Sequence, residues 1–374
     1  MNTKHAEIAV IGAGILGLAH AYIAAKRGYK VVLFERMPQA VGASIRNFGL
    51  VWPIGQPAGL PYERALRGRA HWIEVARQAK LWCNQNGSLQ VAYHADEFAV
   101  LEEFAATLPD GAEPCQLLTP EQVLRKSRAV NSTGLKGGFF SSTELTVDPR
   151  EAIRQIPQWL SEVWDVNLRF GTAVNAIRQS TIETLNETWQ FERAIVCTGA
   201  DFETLYPDLF AVSGITRVKL QMMRTKPQPG QWQLGPTLCA GLTLIHYDAF
   251  KRCQALSLLI KRLQHAMPEY IANGIHVLLA QNAMGELIVG DSHEYGLHIE
   301  PFDKENVNQL ILNYLRTFAH VPTLDIAERW HGVYAKLPDG SEFVRNPAPN
   351  VTIISPPGGA GMTFAFGLAE ETFA

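Results

Sequence analysis

Residues 12–17 read GAGILG, set between the apolar run Glu7-Ile8-Ala9-Val10-Ile11 and a proline-free stretch, Ile15 to Arg27, whose apolar residues recur at helical spacing. No other feature narrows the fold of this chain as much. Strand, turn and helix in this order open a dinucleotide-binding unit. Gly12 permits the tight turn, Gly14 lets a pyrophosphate approach the backbone, and Gly17 lets the helix pack on the strand. A second apolar run, Lys30-Val31-Val32-Leu33-Phe34, ends in Glu35, where a carboxylate meets a ribose hydroxyl pair. With that acid in place and Arg36 outside the strand, the expected ligand is FAD or NAD rather than NADP.

A chain of 374 residues, 47% hydrophobic and of formal charge −3, can bury a large core and is expected to divide into two domains. Its 33 Lys and Arg are scattered, which argues against a nucleic-acid partner. It has no apolar run of about 18 residues and no signal-peptide pattern at MNTKHAEIAV, so a soluble, cytoplasmic protein without a membrane partner is expected. Cys83, Cys115, Cys197, Cys239 and Cys253 show no CxxC spacing, so no disulfide framework and no metal site are expected.

The partners of the nucleotide unit lie far along the chain. NLRFGTAVNAI (167–177) reads as strand, glycine, strand, and FERAIVCTGAD (191–201) as a buried strand ending in a glycine turn. Between them a helix runs from Arg150 to Val163, with Asp148 as N-cap and Pro149 opening it. Segments 88–140 and 216–300 instead alternate short strands with amphipathic helices such as Lys251 to His265, a pattern that suits an antiparallel sheet flanked by helices. The fold class expected is α/β: a Rossmann-like nucleotide domain from residues 1–87, 145–215 and 325–374, and an α+β substrate domain from 88–144 and 216–324.

FAD is favoured over NAD because the second strand runs into a long glycine-bearing loop, Val41 to Gly59, that can lie along a ring system, rather than into further strand–helix alternation. A second glycine-rich segment, Pro356-Pro357-Gly358-Gly359-Ala360-Gly361-Met362-Thr363, opens the closing helix. Its free N–H groups suit the carbonyl edge of a reduced flavin.

These motifs, together with Gly42-Ala43-Ser44, Cys197-Thr198-Gly199-Ala200, GELIVGD (285–291), Trp330-His331-Gly332 and Pro338-Asp339-Gly340, resemble the D-amino-acid oxidase-like flavoproteins, which include glycine and sarcosine oxidases. ASIRNFGLVWPIGQP (43–57) and GDSHEYGL (290–297) are similar to a bacterial branch associated with aminophosphonates and iminodiacetate-type amines. The resemblance implies hydride transfer from the carbon beside an amine nitrogen to flavin N5, hydrolysis of the resulting imine, and reoxidation by oxygen with release of hydrogen peroxide. It places the cofactor against Gly12, Gly14, Ile15, Leu16, Gly17, Glu35 and Arg36, against Ala43, Ser44, Arg46 and Asn47, and against Val174, Thr198, Gly199, Gly359, Gly361, Met362 and Thr363. Some relatives attach the flavin through a cysteine near the Trp-x-Gly strand, but no cysteine follows Cys253 here, so a non-covalent FAD is expected.

Relatives also carry an arginine two residues after the Trp-x-Gly glycine as a carboxylate clamp, where this chain has Tyr334. Lys336, on the same strand face, and Arg46 are the substitutes expected to hold a small anionic amine. His246, Tyr247, His293 and His331 are further candidates for the substrate cavity, whereas Lys219 reads as a surface residue. Two other functions fit the same motifs: a flavoprotein dehydrogenase of a 2-hydroxy acid, and a flavin-binding protein without turnover. The sequence says nothing of oligomeric state.

Overall fold

The computed structural model describes residues 4–108, 115–340, 342–356 and 358–374; Pro357 of the second glycine-rich segment and Met1–Thr3 of the N-terminus lie outside the described residues. Five parallel strands form the heart of the first sheet, in the order Asn167–Phe170, Val31–Glu35, Lys4–Ile11, Thr188–Val196, Val351–Ser355. Val31–Glu35 is buried along its whole length, as a parallel strand covered on both faces must be. Antiparallel strands extend the sheet: Phe343–Ala348 along its edge, and Thr181–Thr184 with Val174–Arg178 at the opening of Thr188–Val196.

The helix Ile15–Lys26 is buried from Ile15 through Ala25, because it lies under the sheet with the helices Gly361–Thr372 and Pro149–Trp164 against it. Asp148 caps the latter as the sequence predicts, accepting from the amides of Arg150 and Glu151.

The second sheet has nine strands and is antiparallel apart from one parallel pair, Ser88–Ala92 with Thr237–Cys239. Its longest ladder joins Thr216–Pro227 to Ile326–Lys336. This corrects the sequence reading, which gave everything after 325 to the nucleotide-binding part. The chain leaves the second sheet only after Lys336, since eleven residues laid along a twelve-residue strand satisfy more backbone groups there than a lone return could. The expected helix from Lys251 is also broken. A 3₁₀ turn, Asp248–Arg252, precedes the helix Leu256–Ala266, and the Glu103 carboxylate accepts from the Ala255 amide at that helix's start.

Glu144 ties the halves together. It is fully buried, and its carboxylate accepts from the Ile54 amide at 3.0 Å and from the hydroxyls of Thr143 and Ser88 at 2.6 and 2.8 Å. The closing helix is fitted as tightly. A Cβ on Gly68 would stand 2.3 Å from the Thr363 carbonyl oxygen. Gly68→Ala is therefore expected to push the helix Leu60–Gln78 off its partner and to cost about 1–3 kcal/mol of stability. Urea denaturation of the two proteins checks this; an unchanged midpoint would show that the contact relaxes freely.

Candidate active site

A cleft of about 860 Å³ runs along the carboxyl ends of the parallel strands, at the large end of the roughly 300–1,000 Å³ typical of ligand sites. Its floor is the first glycine turn. Gly12 adopts φ +101°, and a Cβ there would meet the Cys197 carbonyl oxygen at 2.4 Å. Gly14 lies open beside Ser44, whose Oγ, 3.1 Å from where a Cβ would sit, accepts from the Ile15 amide at 2.9 Å. The cradle is thus left empty by the absence of side chains, with the amino end of a helix facing it, as a pyrophosphate requires.

Glu35 is buried, and its two oxygens accept from the amides of Ala13 and Met37, both at 3.0 Å. One carboxylate thereby fixes the turn and leaves lone pairs toward the cleft. Arg36 pairs with Asp201 at 2.6 Å across the cleft wall, an acid that sequence reasoning missed.

Of the residues expected at the cofactor, Ile15, Leu16, Ala43, Ser44, Arg46, Asn47, Val174, Thr198, Gly199, Gly359, Gly361 and Met362 also line this cleft. Two do not. A Cβ on Gly17 would stand 1.8 Å from the Gly12 carbonyl oxygen, so Gly17 serves packing alone. Thr363 is buried, with its hydroxyl accepting from the Trp52 amide at 2.9 Å. Asn47 shapes the loop from within, donating to the carbonyls of Ala43 and Ser44.

The ladder between Thr216–Pro227 and Ile326–Lys336 decides which substrate candidates reach the cleft. Paired residues share a face, and faces alternate along each strand. Leu220 pairs with Gly332 and Val218 with Tyr334, and this face meets the cleft: a Cβ on Gly359 would stand 3.3 Å from the Tyr334 hydroxyl. Lys336 follows on the same face, 3.7 Å from where a Cβ on Gly358 would sit and with its ammonium 5.4 Å from the Tyr295 ring centre. Burial lowers the Lys336 pKa from its ordinary value, with Lys251 adding to the fall and Asp248 opposing it.

His331 pairs with Gln221 on the opposite face, where its Nδ1 lies 2.8 Å from Asp303. That removes it from the cleft. Lys219 shares that face and is no surface residue. It is 2% exposed, donates to the carbonyls of Glu300 and Phe302, and pairs with Asp303 at 3.1 Å. Arg46 lines the cleft beside Gly332 and reaches the His331 carbonyl at 3.4 Å. Gly332, beside Arg46, and Lys336 lie four positions apart along the strand, about 13 Å along the backbone.

His246, Tyr247 and His293 come together with a residue the sequence did not single out, His276. His246 stacks on His276 with centroids 3.7 Å apart, and His293 lies 4.7 Å from His246. Tyr247 meets both His246 and His276 edge-on and stacks on Trp52. Asp291 sits beside them, 3.0 Å from His276 Nε2. The cluster adjoins Tyr334, whose hydroxyl is held protonated by burial and by the nearby Asp291, Tyr295 and Tyr247. His276 carries no motif, and only the sheet brings it to the others.

No helix among the described residues is long and apolar enough to cross a membrane.

Comparison with known proteins agrees with this geometry. The family model described as FAD dependent oxidoreductase matches residues 7–374. The D-amino-acid oxidase of Streptomyces coelicolor is 34% identical over 76 residues, which is 20% of this chain and 24% of that enzyme. Glycine oxidase from Geobacillus kaustophilus superposes with TM-score 0.76 at 16% identity, covering 99% of this chain and 94% of its own. Iminodiacetate oxidase from Chelativorans sp. BNC1 does so at 0.72 and 17%, covering 97% and 93%. With the match spanning nearly the whole chain and the cleft shaped for the dinucleotide, the protein belongs to the family of FAD-dependent oxidoreductases.

Proposed function

We propose that this protein oxidises the C–N bond of a small anionic primary or secondary amine, an aminophosphonate such as 2-aminoethylphosphonate or its N-methyl form, or an amine of the iminodiacetate or glycine type. The observation that carries the reading is the cleft-facing side of the strand Ile326–Lys336, where Tyr334 and Lys336 stand over the Gly358–Gly359 turn. The similarity to glycine and iminodiacetate oxidases supports the amine.

Bound FAD supplies the hydride acceptor, and reoxidation by oxygen would release hydrogen peroxide. The chain's own residues do the rest. Gly12, Gly14 and Ser44 hold the dinucleotide's phosphates, and Glu35 its ribose. Tyr334, Tyr247 and Trp52 form a wall of rings that excludes water and aligns the substrate C–H bond. Lys336, a half-buried ammonium, holds the anionic end in place of the arginine clamp.

A peroxide-coupled screen of glycine, iminodiacetate, 2-aminoethylphosphonate and neutral amines tests this directly. Lys336→Met is expected to cost about 2–5 kcal/mol, roughly 30- to 5,000-fold in kcat/KM, on the anionic amines. It should leave neutral amines nearly unchanged, and equal loss on both would make Lys336 structural.

Cofactor attachment is tested separately. Cys197 is the cysteine that reaches the cleft, and burial pushes its thiol pKa far up, so no reactive thiolate faces the ligand there. Acid precipitation is expected to leave all the flavin in the supernatant. Gly14→Val should abolish flavin binding, because a branched side chain would fill the phosphate cradle. A yellow pellet would contradict the first expectation, and a yellow Gly14→Val protein the second.

A further inference from the structure

The three-histidine cluster beside Tyr334 has lone pairs to offer. His293 Nδ1 lies 2.9 Å from the Gly274 carbonyl, an acceptor only, so that nitrogen carries the proton and Nε2 of the neutral ring is bare. His276 Nε2 faces Asp291 at 3.0 Å, while its Nδ1 is buried without a partner. Asp291 Oδ1 is buried too and makes no well-aligned hydrogen bond, although it lies 3.8 Å from His293 Nδ1. Buried polar atoms are rarely left so, and these point to something that arrives.

A metal ion fits poorly. The three ligating nitrogens lie within 4.8 Å of one another, but His246 and His276 are stacked with planes 22° from parallel. Their in-plane lone pairs run side by side instead of converging on one centre. A proton has no such requirement.

Building on the amine-oxidase reading above, we propose that His246, backed by His276, His293 and Asp291, accepts the proton that the substrate ammonium must lose before its C–H bond can react. The proton balances: ammonium plus imidazole gives free amine plus imidazolium; loss of hydride leaves the amine as an iminium, whose hydrolysis releases it already as ammonium, so the imidazolium proton joins that hydride when oxygen leaves as hydrogen peroxide. His246 is the ring in reach, since it is half-buried while His276 and His293 are buried beneath it.

The surrounding charges time the transfer. Burial, the neighbouring histidines and the Lys336 ammonium all lower the proton affinity of His246. His293 is lowered by burial, His276 and Lys336, against the pull of Asp291 and the Gly274 carbonyl. Asp248 and Lys251 act on Lys336 in turn, and Tyr247, Tyr295 and Tyr334 remain protonated. An oxyanion bound at Lys336 cancels that repulsion and adds its own attraction, so the cluster gains proton affinity as the ammonium arrives. Because the histidines repel one another's charge, one proton is taken up rather than three.

Glutarate, which has the two carboxylates of iminodiacetate but no amine, is the binding probe. Calorimetry of the FAD-loaded protein in two buffers of different ionisation heat is expected to show uptake of about one proton per site at pH 7.5, and none in His246→Gln. In kinetics with anionic amines, wild-type kcat/KM should be flat from about pH 6.5, the ordinary histidine value, to 8.5. His246→Gln should climb about tenfold per pH unit, because only free amine then reacts. Asp291→Asn, with flavin content as the check on folding, should show a weaker form of the same slope. Glutarate binding without proton uptake, a shared pH slope, or stoichiometric Zn²⁺ binding lost in His246→Gln would each overturn the proton role while amine oxidation stands. No oxidation of any amine by the yellow wild-type protein would instead bring down the reading beneath it.

Discussion

The antiparallel ladder between Thr216–Pro227 and Ile326–Lys336 is the constraint on which the site depends. Because side chains alternate across a strand, a shift of one residue would exchange the two faces completely. In the register observed, Tyr334 turns to the nucleotide cleft and Lys336 follows on the same face beside Gly358, while His331, Lys219 and Gln221 turn to the segment 300–308. The buried Lys219 helps hold that register from behind. It ties the backbone of Glu300 and Phe302 to the sheet and shares Asp303 with His331, so the face away from the cleft is closed by charge-assisted contacts.

The nucleotide half obeys a different logic, in which missing side chains are the design. Gly12 and Gly17 are packed so closely on backbone that any Cβ collides, and the space left above Gly14 is the cradle. Glu35 joins the two functions of the turn, since the carboxylate that pins the Ala13 and Met37 amides also faces the cleft. Glu144 then fixes the distance between this half and the second sheet through three hydrogen bonds in a fully buried position. Removing such a carboxylate would leave its donors unpaired, which typically costs more than the bonds themselves contribute.

Local chemistry was legible in the sequence and long-range pairing was not. The glycine turn, the acid at the tip of the second strand and the Asp148 cap each announce themselves within a few residues, because the backbone dictates the residue type. The membership of Ile326–Lys336 in the second sheet depends on a partner about a hundred residues earlier, and no local pattern records it. The same holds for Lys219 and His331. Their roles follow from facing Asp303, which is a property of the ladder and not of either strand. His276 was missed for this reason too, whereas His246 drew notice beside Tyr247 in an apolar run and His293 at the end of the strand ELIVGDSHEYG.

On the reading proposed above, the protein holds a flavin by its backbone and a small anionic amine by Lys336, Tyr334 and the rings around them. Anaerobic mixing of the FAD-loaded protein with iminodiacetate, glycine, 2-aminoethylphosphonate and lactate tests that description most directly, since it reads electron transfer before any oxygen chemistry. Loss of the flavin's visible absorption with at least one of the anionic amines, and none with the hydroxy acid, is the result expected; bleaching by lactate with all the amines inert would contradict it.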